Sequence, residues 1–223
     1  MTAYRIYGLA LDLDDRGLPE PVKRGLVKGW YERDEVEIIR ACLQPGDRVL
    51  ELGAGLGVTA MVAAGIVGAD AVKAFEANPA MVPVFEKNVA DNGFAIAIEN
   101  KVLYPKASAG GRASVLVDVS GHFWGASVVG DASPAKTVEA PTGVLEDEIA
   151  AHRANVLVMD IEGLEAEILE KADLTRIGKL VFEIHYAKAG RARTDAAILG
   201  LVGQGFRIDF ERSSRGVLFM ERA

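Results

Sequence analysis

Four short stretches hold the residues whose types and spacing could do chemistry. The first is VLELGAGLG, residues 49–57, an apolar run that ends in glycines and opens a small-residue helix. Glycines at such a junction let the backbone close on a ligand, and the helix start offers free N–H groups and a positive dipole end. Glu51, two residues before Gly53, sets a carboxylate where it can orient the turn or meet an amino group, unless it is only an acid at a solvated strand end. The second stretch, AFEANP, closes the next apolar run on Glu76, an acid able to accept hydrogen bonds from both hydroxyls of a ribose. A helix-capping role suits Glu76 less than Asn78, which stands directly before Pro79.

The third stretch, VLVMDIEGLEAEIL, places Asp160, Glu162 and Gly163 at a strand's carboxyl end, the crevice where open α/β sheets bind ligands. The fourth, KLVFEIH, brings Glu183 and His185 to the end of another strand. Being two apart, they point the same way. A histidine among carboxylates can act as general base or complete an oxygen-rich metal site with Asp160; it can also be plain hydrogen-bonded structure. His122 and Trp124 lie in a long loop, 120–136, expected to wall a substrate pocket, though packing that anchors the loop explains them as well. Lys188, Arg191 and Arg193 either greet an acidic substrate or form a solvated surface.

The elements needed to hold these stretches are those of an α/β sheet. Short runs rich in valine, isoleucine and phenylalanine alternate with helix-length amphipathic stretches, the pattern of βα units. The expected order is a helix over 34–43, a strand at 49–52, a helix from 58, a strand at 71–76 and a helix over 79–92. A strand near 95–103 and an extra strand at 113–119 follow. Beyond the loop come a helix at 145–152, a strand at 156–160, a helix at 164–171, a strand at 179–185 and a helix near 195–204. The last stretch alternates on both sides of a polar turn and reads as an antiparallel hairpin. The first thirty residues are expected to form an edge strand or lid ahead of a core running from 31 to 223, within a single domain.

The 223 residues suffice for one sizeable core. No apolar run is long enough to cross a bilayer and the N-terminus lacks a signal-peptide pattern, so membrane association is not expected and a cytoplasmic protein is. A single cysteine, Cys42, excludes a disulfide framework and reads as core filler. The net charge of −7 argues against a nucleic-acid partner, since phosphate binding needs a basic surface. Nothing in the sequence sets an oligomeric state.

The first turn leaves two cofactor classes in play. Its glycines, Gly53, Gly55 and Gly57, are spaced GxGxG, whereas the dinucleotide fingerprint wants the third glycine where Val58 stands. That counts against a nicotinamide oxidoreductase.

Taken in order, the stretches resemble the FkbM-type branch of class I S-adenosylmethionine-dependent methyltransferases, over about residues 31–206. The resemblance rests on the Tyr31-Glu32 entry, PGDRVLELGAGLG, FEANP with Asn88 later in its helix, MDIEGLEAEIL and FEIH. Met159 and Val158 stand where a lysine often precedes the signature, and Glu51 replaces a common aspartate. The resemblance implies a Rossmann-like sheet of seven mostly parallel strands with a C-terminal antiparallel hairpin and helices on both faces. It implies S-adenosylmethionine as cofactor, held by Glu32, Glu51, Gly53, Ala54, Gly55, Gly57, Glu76, Ala77, Asn78 and Asp160. Methyl transfer to oxygen on a small-molecule acceptor, such as a sugar or secondary-metabolite hydroxyl, would fall to Asp160, Glu162, Glu183 and His185, with a divalent metal as an open option. A non-catalytic binding subunit that keeps the fold is the remaining alternative.

Overall fold

The computed structural model describes residues 2–14, 18–119, 127–128, 136–214 and 216–222. In chain order its elements are β1 (Thr2–Ile6), β2 (Leu9–Leu13), α1 (Glu20–Lys28), α2 (Arg33–Cys42), β3 (Val49–Leu52), α3 (Val58–Val67), β4 (Val72–Glu76) and α4 (Val82–Asp91). Then follow β5 (Ala97–Asn100), β6 (Val102–Tyr104), α5 (Lys106–Ala109), β7 (Ser114–Asp118), β8 (Ser127–Val128), β9 (Thr137–Val144) and α6 (Leu145–His152). The chain ends with β10 (Val156–Met159), α7 (Glu165–Lys171), β11 (Lys179–Glu183), α8 (Tyr186–Ala189), α9 (Arg191–Gly203), β12 (Phe206–Ile208) and β13 (Val217–Arg222).

The central sheet has seven strands in the order β12-β13-β11-β10-β3-β4-β5. The five from β11 to β5 run parallel, while β13 lies antiparallel to β11 and pairs with β12 as a hairpin. Alternation along these strands splits the core in two. Val49, Ala74, Val158 and Val181 face α2, α3 and α4 through Val36, Ile39, Met61 and Phe85. Leu50, Phe75, Leu157 and Phe182 face α6, α7 and α9 through Ile149, Ile168 and Leu201. With both faces covered, every residue of β3 and β10 is buried.

Four local readings of the sequence change. Residues 95–103 split between β5 of the central sheet and β6, which joins a second sheet ordered β6-β9-β7-β8. Strand β9 is absent from the sequence reading because it contains Pro141 and Gly143, both poor strand formers; Pro141 lies opposite Ser114 in β7. The first residues form a β1–β2 hairpin of their own that packs on α4, tied by Ala10 N–H to Asn92 Oδ1 at 2.8 Å, rather than extending the edge of the central sheet. Asn78 does not cap α4, which starts at Val82; its side chain accepts from Ala80 N–H and tightens the preceding turn. Cys42 is buried on the apolar face of α2, and burial raises its thiol pKa to about 11, in keeping with a filler role.

Candidate active site

The glycine turn, the Glu76 turn and the end of β10 meet at the carboxyl edge of the sheet around a cleft of about 740 Å³, its open mouth included. Its walls include Tyr31, Glu32, Gly53, Gly55, Phe75, Glu76, Ala77, Lys101, Leu103, Asp160 and Glu162. The turn sits close to β10. Gly53 has φ +87°, and a Cβ there would lie 1.8 Å from the Asp160 carbonyl oxygen, so the approach itself demands glycine. Backbone bonds pin both sides: Gly53 N–H donates to Phe75 O (2.9 Å) and Asp160 N–H to Leu52 O (3.0 Å).

Glu76 is buried with its carboxylate bridging two turns, Oε2 accepting from Gly55 N–H (3.0 Å) and Oε1 from Asn78 N–H (2.7 Å). Burial raises its pKa against the pull of these N–H groups. Ala54, Gly57 and Asn78 do not line the cleft. Ala54 donates its N–H to Phe75 O, Gly57 faces the Phe85 ring, and Asn78 serves the turn, so these three shape the pocket from behind.

Behind Asp160 the cleft continues into a recess of about 320 Å³ lined by Glu32, Glu35, Glu51, Thr59 and Asp160 among others. Glu51 is buried, with the Thr59 hydroxyl donating to its Oε1 and no hydrogen bond to Oε2 among the described residues. Burial raises its pKa to about 8. Glu32 begins α2 in the left-handed region, φ 51°, and its carboxyl is pushed well above the usual range by burial, against a hydrogen bond with Tyr31. Its Oε2 is buried without a partner among the described residues. Glu35 rises to about 7 through burial, with Glu183 and Asp34 near.

The third group of acids gathers on His185. Its Nδ1–H donates to Glu165 Oε1 (2.9 Å), while Nε2 faces Asp160 Oδ1 (3.6 Å), Glu183 Oε2 (3.7 Å) and Glu162 Oε2 (3.9 Å). Glu165, only 3 % exposed, also accepts from Ile161 N–H (2.9 Å) and Gly163 N–H (2.7 Å). One carboxylate thus fixes both the bend after β10 and the imidazole. In that bend Glu162 takes a positive φ of 55°, rare for a side-chain-bearing residue, which turns it toward the cleft. Burial opposes a charge on His185, but the Glu165 hydrogen bond and the surrounding carboxylates outweigh it and raise its pKa to about 9. His185 therefore keeps its proton at neutral pH, which moves the part of base to a carboxylate. Asp160 is pushed well up by burial and by Glu183.

Sequence reasoning left out Glu165 and Glu35. Both lie in a helical first turn, where acids are common for the dipole alone. The basic residues after His185 turn outward: Arg193 pairs with Glu170 (2.8 Å) and Arg191 stacks on Tyr186. His122 and Trp124, with most of loop 120–136, lie outside the described residues.

Because the folded-state value for His185 lies above 6.5, its pairing adds stability that is full below pH 6.5 and lost as pH rises through about 9. Glu165→Gln should cost about 1–3 kcal/mol by leaving one donor unmatched. It should also lower the imidazole pKa toward 6.5, read by NMR titration of the ring protons. An unchanged titration in the variant would remove Glu165 from this role.

Comparison with known proteins matches residues 53–208 to the methyltransferase FkbM domain. The chain belongs to the FkbM methyltransferase family. No curated protein matches significantly. Among solved structures, a methyltransferase from Pyrococcus furiosus aligns over 97 % of this chain and 90 % of its own, at 14 % identity and TM-score 0.50. A putative SAM-dependent methyltransferase from Streptococcus mutans aligns over 99 % and 55 %, at 9 % identity and TM-score 0.50. The tRNA (uracil-54, C5)-methyltransferase of Pyrococcus abyssi, in complex with S-adenosyl-L-homocysteine, aligns over 99 % and 43 %, at 14 % identity and TM-score 0.49. The two at TM-score 0.50 show the Rossmann-like methyltransferase fold.

The solved structures also correct the expectation that excludes nucleic acid. Structures described as 23S rRNA and tRNA methyltransferases are among those matching this fold, so a net negative charge over the whole surface does not carry that exclusion. No described helix is long and apolar enough to cross a membrane.

Proposed function

We propose that this FkbM-family protein is an S-adenosylmethionine-dependent O-methyltransferase. Its donor would lie in the cleft between Gly53 and Glu76, and its acceptor would enter beside Asp160 and Glu162. The observation that carries the reading is a pair of buried carboxylate oxygens, Glu32 Oε2 and Glu51 Oε2, with no hydrogen-bond partner among the described residues and both on residues lining the cleft or its recess. A buried, unpaired acid is expensive, and a ligand carrying an ammonium and a sulfonium offsets that expense. These acids offer a pyrophosphate no positive charge, and Lys101 is the one basic residue on the described walls, which disfavours a nicotinamide dinucleotide.

The donor supplies an activated methyl group on a good leaving group. What remains for the chain is alignment and proton removal. Glu76 is set to accept from ribose hydroxyls, and Gly53 and Gly55 keep the turn thin enough for close approach. A hydroxyl is a poor nucleophile at neutral pH, and Glu162, facing the cleft, is placed to receive its proton. The acid-rich edge supports oxygen as the acceptor atom. A hydroxyl of the sugar or secondary-metabolite kind is the acceptor that family resemblance favours.

Calorimetric titration with S-adenosylhomocysteine and with NAD tests the donor assignment. The homocysteine derivative should bind, and Glu76→Ala should weaken it at least tenfold; binding of NAD alone would sink the assignment. A product screen across sugars, polyketides, peptides, tRNA and rRNA tests the acceptor. Methylation of nitrogen or carbon would overturn the oxygen assignment, and cofactor binding with no product on any acceptor would favour a non-catalytic subunit.

A further inference from the structure

We propose that Asp160, Glu183 and His185 form a binding site for one divalent cation of the Mg²⁺/Mn²⁺ class at the acceptor side of the cleft. One ligand atom from each of the three lies within 4.8 Å of the others. The separations from His185 Nε2, 3.6 Å to Asp160 Oδ1 and 3.7 Å to Glu183 Oε2, are too long for hydrogen bonds. They fall between the cis and trans spacings, about 3 and 4.2 Å, of donors around an ion bound at about 2.1 Å.

Two further observations set this group apart from an ordinary acidic patch. Asp160 is divided: its Oδ1 is buried and has no hydrogen-bond partner among the described residues, while the side chain as a whole remains 41 % exposed. One oxygen therefore faces inward with no hydrogen bond, only His185 Nε2 at 3.6 Å, and the rest faces the cleft. A bound cation supplies what that oxygen lacks. The second observation is the mounting of His185. Its Nδ1 is held by Glu165, which is itself held by two backbone N–H groups, so Nε2 can face only the acids. A carboxylate behind an imidazole is the arrangement by which proteins aim a histidine at a metal and raise its basicity.

Two carboxylates balance a dication, which takes the place of the proton on His185 Nε2, and one imidazole among oxygens suits Mn²⁺ at least as well as Mg²⁺. Three protein donors leave coordination positions for water or an acceptor oxygen. The inference rests on the proposed methyl transfer only for what the ion does. There it would polarise the acceptor hydroxyl, whose proton passes to Glu162 and on to water. The new C–O bond forms as the C–S bond breaks, its electron pair leaving with sulfur.

Titration of the full chain with Mn²⁺ alone, followed by electron paramagnetic resonance of the free ion, tests the site without reference to activity. One Mn²⁺ should bind per chain. Asp160→Asn and Glu183→Gln should each weaken it at least tenfold, and Glu165→Gln by roughly tenfold through the loosened imidazole. Glu76→Ala should keep Mn²⁺ while losing S-adenosylhomocysteine, which separates failure of the metal site from failure of the donor site. No Mn²⁺ binding by the wild-type chain overturns the proposal. So does binding that survives unchanged in both the Asp160 and Glu183 variants.

Discussion

Gly53→Ala is expected to abolish S-adenosylhomocysteine binding and to lower the melting temperature by about 10 °C. The added methyl would sit 1.8 Å from the Asp160 carbonyl oxygen, and that atom is backbone, so no side chain can swing away. Neither strand end can step back freely, because Gly53 is tied to β4 and Asp160 to β3 by the bonds at 2.9 and 3.0 Å. The φ of +87° adds strain for any residue with a Cβ. Overpacking and backbone strain together come to about 3 kcal/mol or more, and a chain of this length shifts by about 2–4 °C per kcal/mol. Gly65→Ala is the control: it lies in α3 with nothing within 4 Å, and should stabilise by about 0.5–1 kcal/mol through helix propensity. Binding of S-adenosylhomocysteine by Gly53→Ala within threefold of wild type would show that the close approach is not what the glycine is for.

Much of this site can be read from the sequence because the turn and the strand ends announce themselves locally. Gly53, Glu76, Asp160 and Glu183 each close an apolar run, and a parallel sheet brings the ends of such runs to one edge whatever lies between them. What links these ends is not local. Glu165 sits five residues past Asp160 and twenty before His185; two of its hydrogen bonds stay within its own bend, but the one to His185 depends on where the end of β11 meets the start of α7. Its letter in the sequence looks like any first-turn acid. Glu35 approaches Glu183 only because α2 lies across that end of the sheet. The protonation of His185 is likewise a property of the assembled ring of acids, and it reverses the role a lone histidine suggests. Strand β9 escaped for the opposite reason: its sequence argues against a strand, and pairing on both sides overrides it.

Glu51→Gln should make the protein more stable at alkaline pH and a poorer binder of its donor. Burial holds the Glu51 carboxyl at about 8, against 4.5 for an exposed glutamate, with Thr59 lowering it and Glu76 raising it. Between those values the folded chain binds a proton that the unfolded chain does not. Stability therefore falls as pH rises through this window and stays reduced above about 8. The glutamine keeps an oxygen for the Thr59 hydroxyl and nearly the same volume, but never ionises. It should add up to about 5 kcal/mol at pH 9 and almost nothing at pH 4.5, read from urea midpoints at constant slope. A wild-type stability profile flat from pH 5 to 9, with no gain in the variant at pH 9, would contradict the buried-acid account. The cost should appear in the ligand. An acid left unpaired in the free protein is one whose charge is held for a cation, so Glu51→Gln should weaken S-adenosylhomocysteine at least tenfold at pH 8, where the derivative's amino group is still largely protonated. Wild-type protein should then gain more stability from the ligand at pH 8 than the variant does. That difference separates an acid retained for binding from one retained for folding.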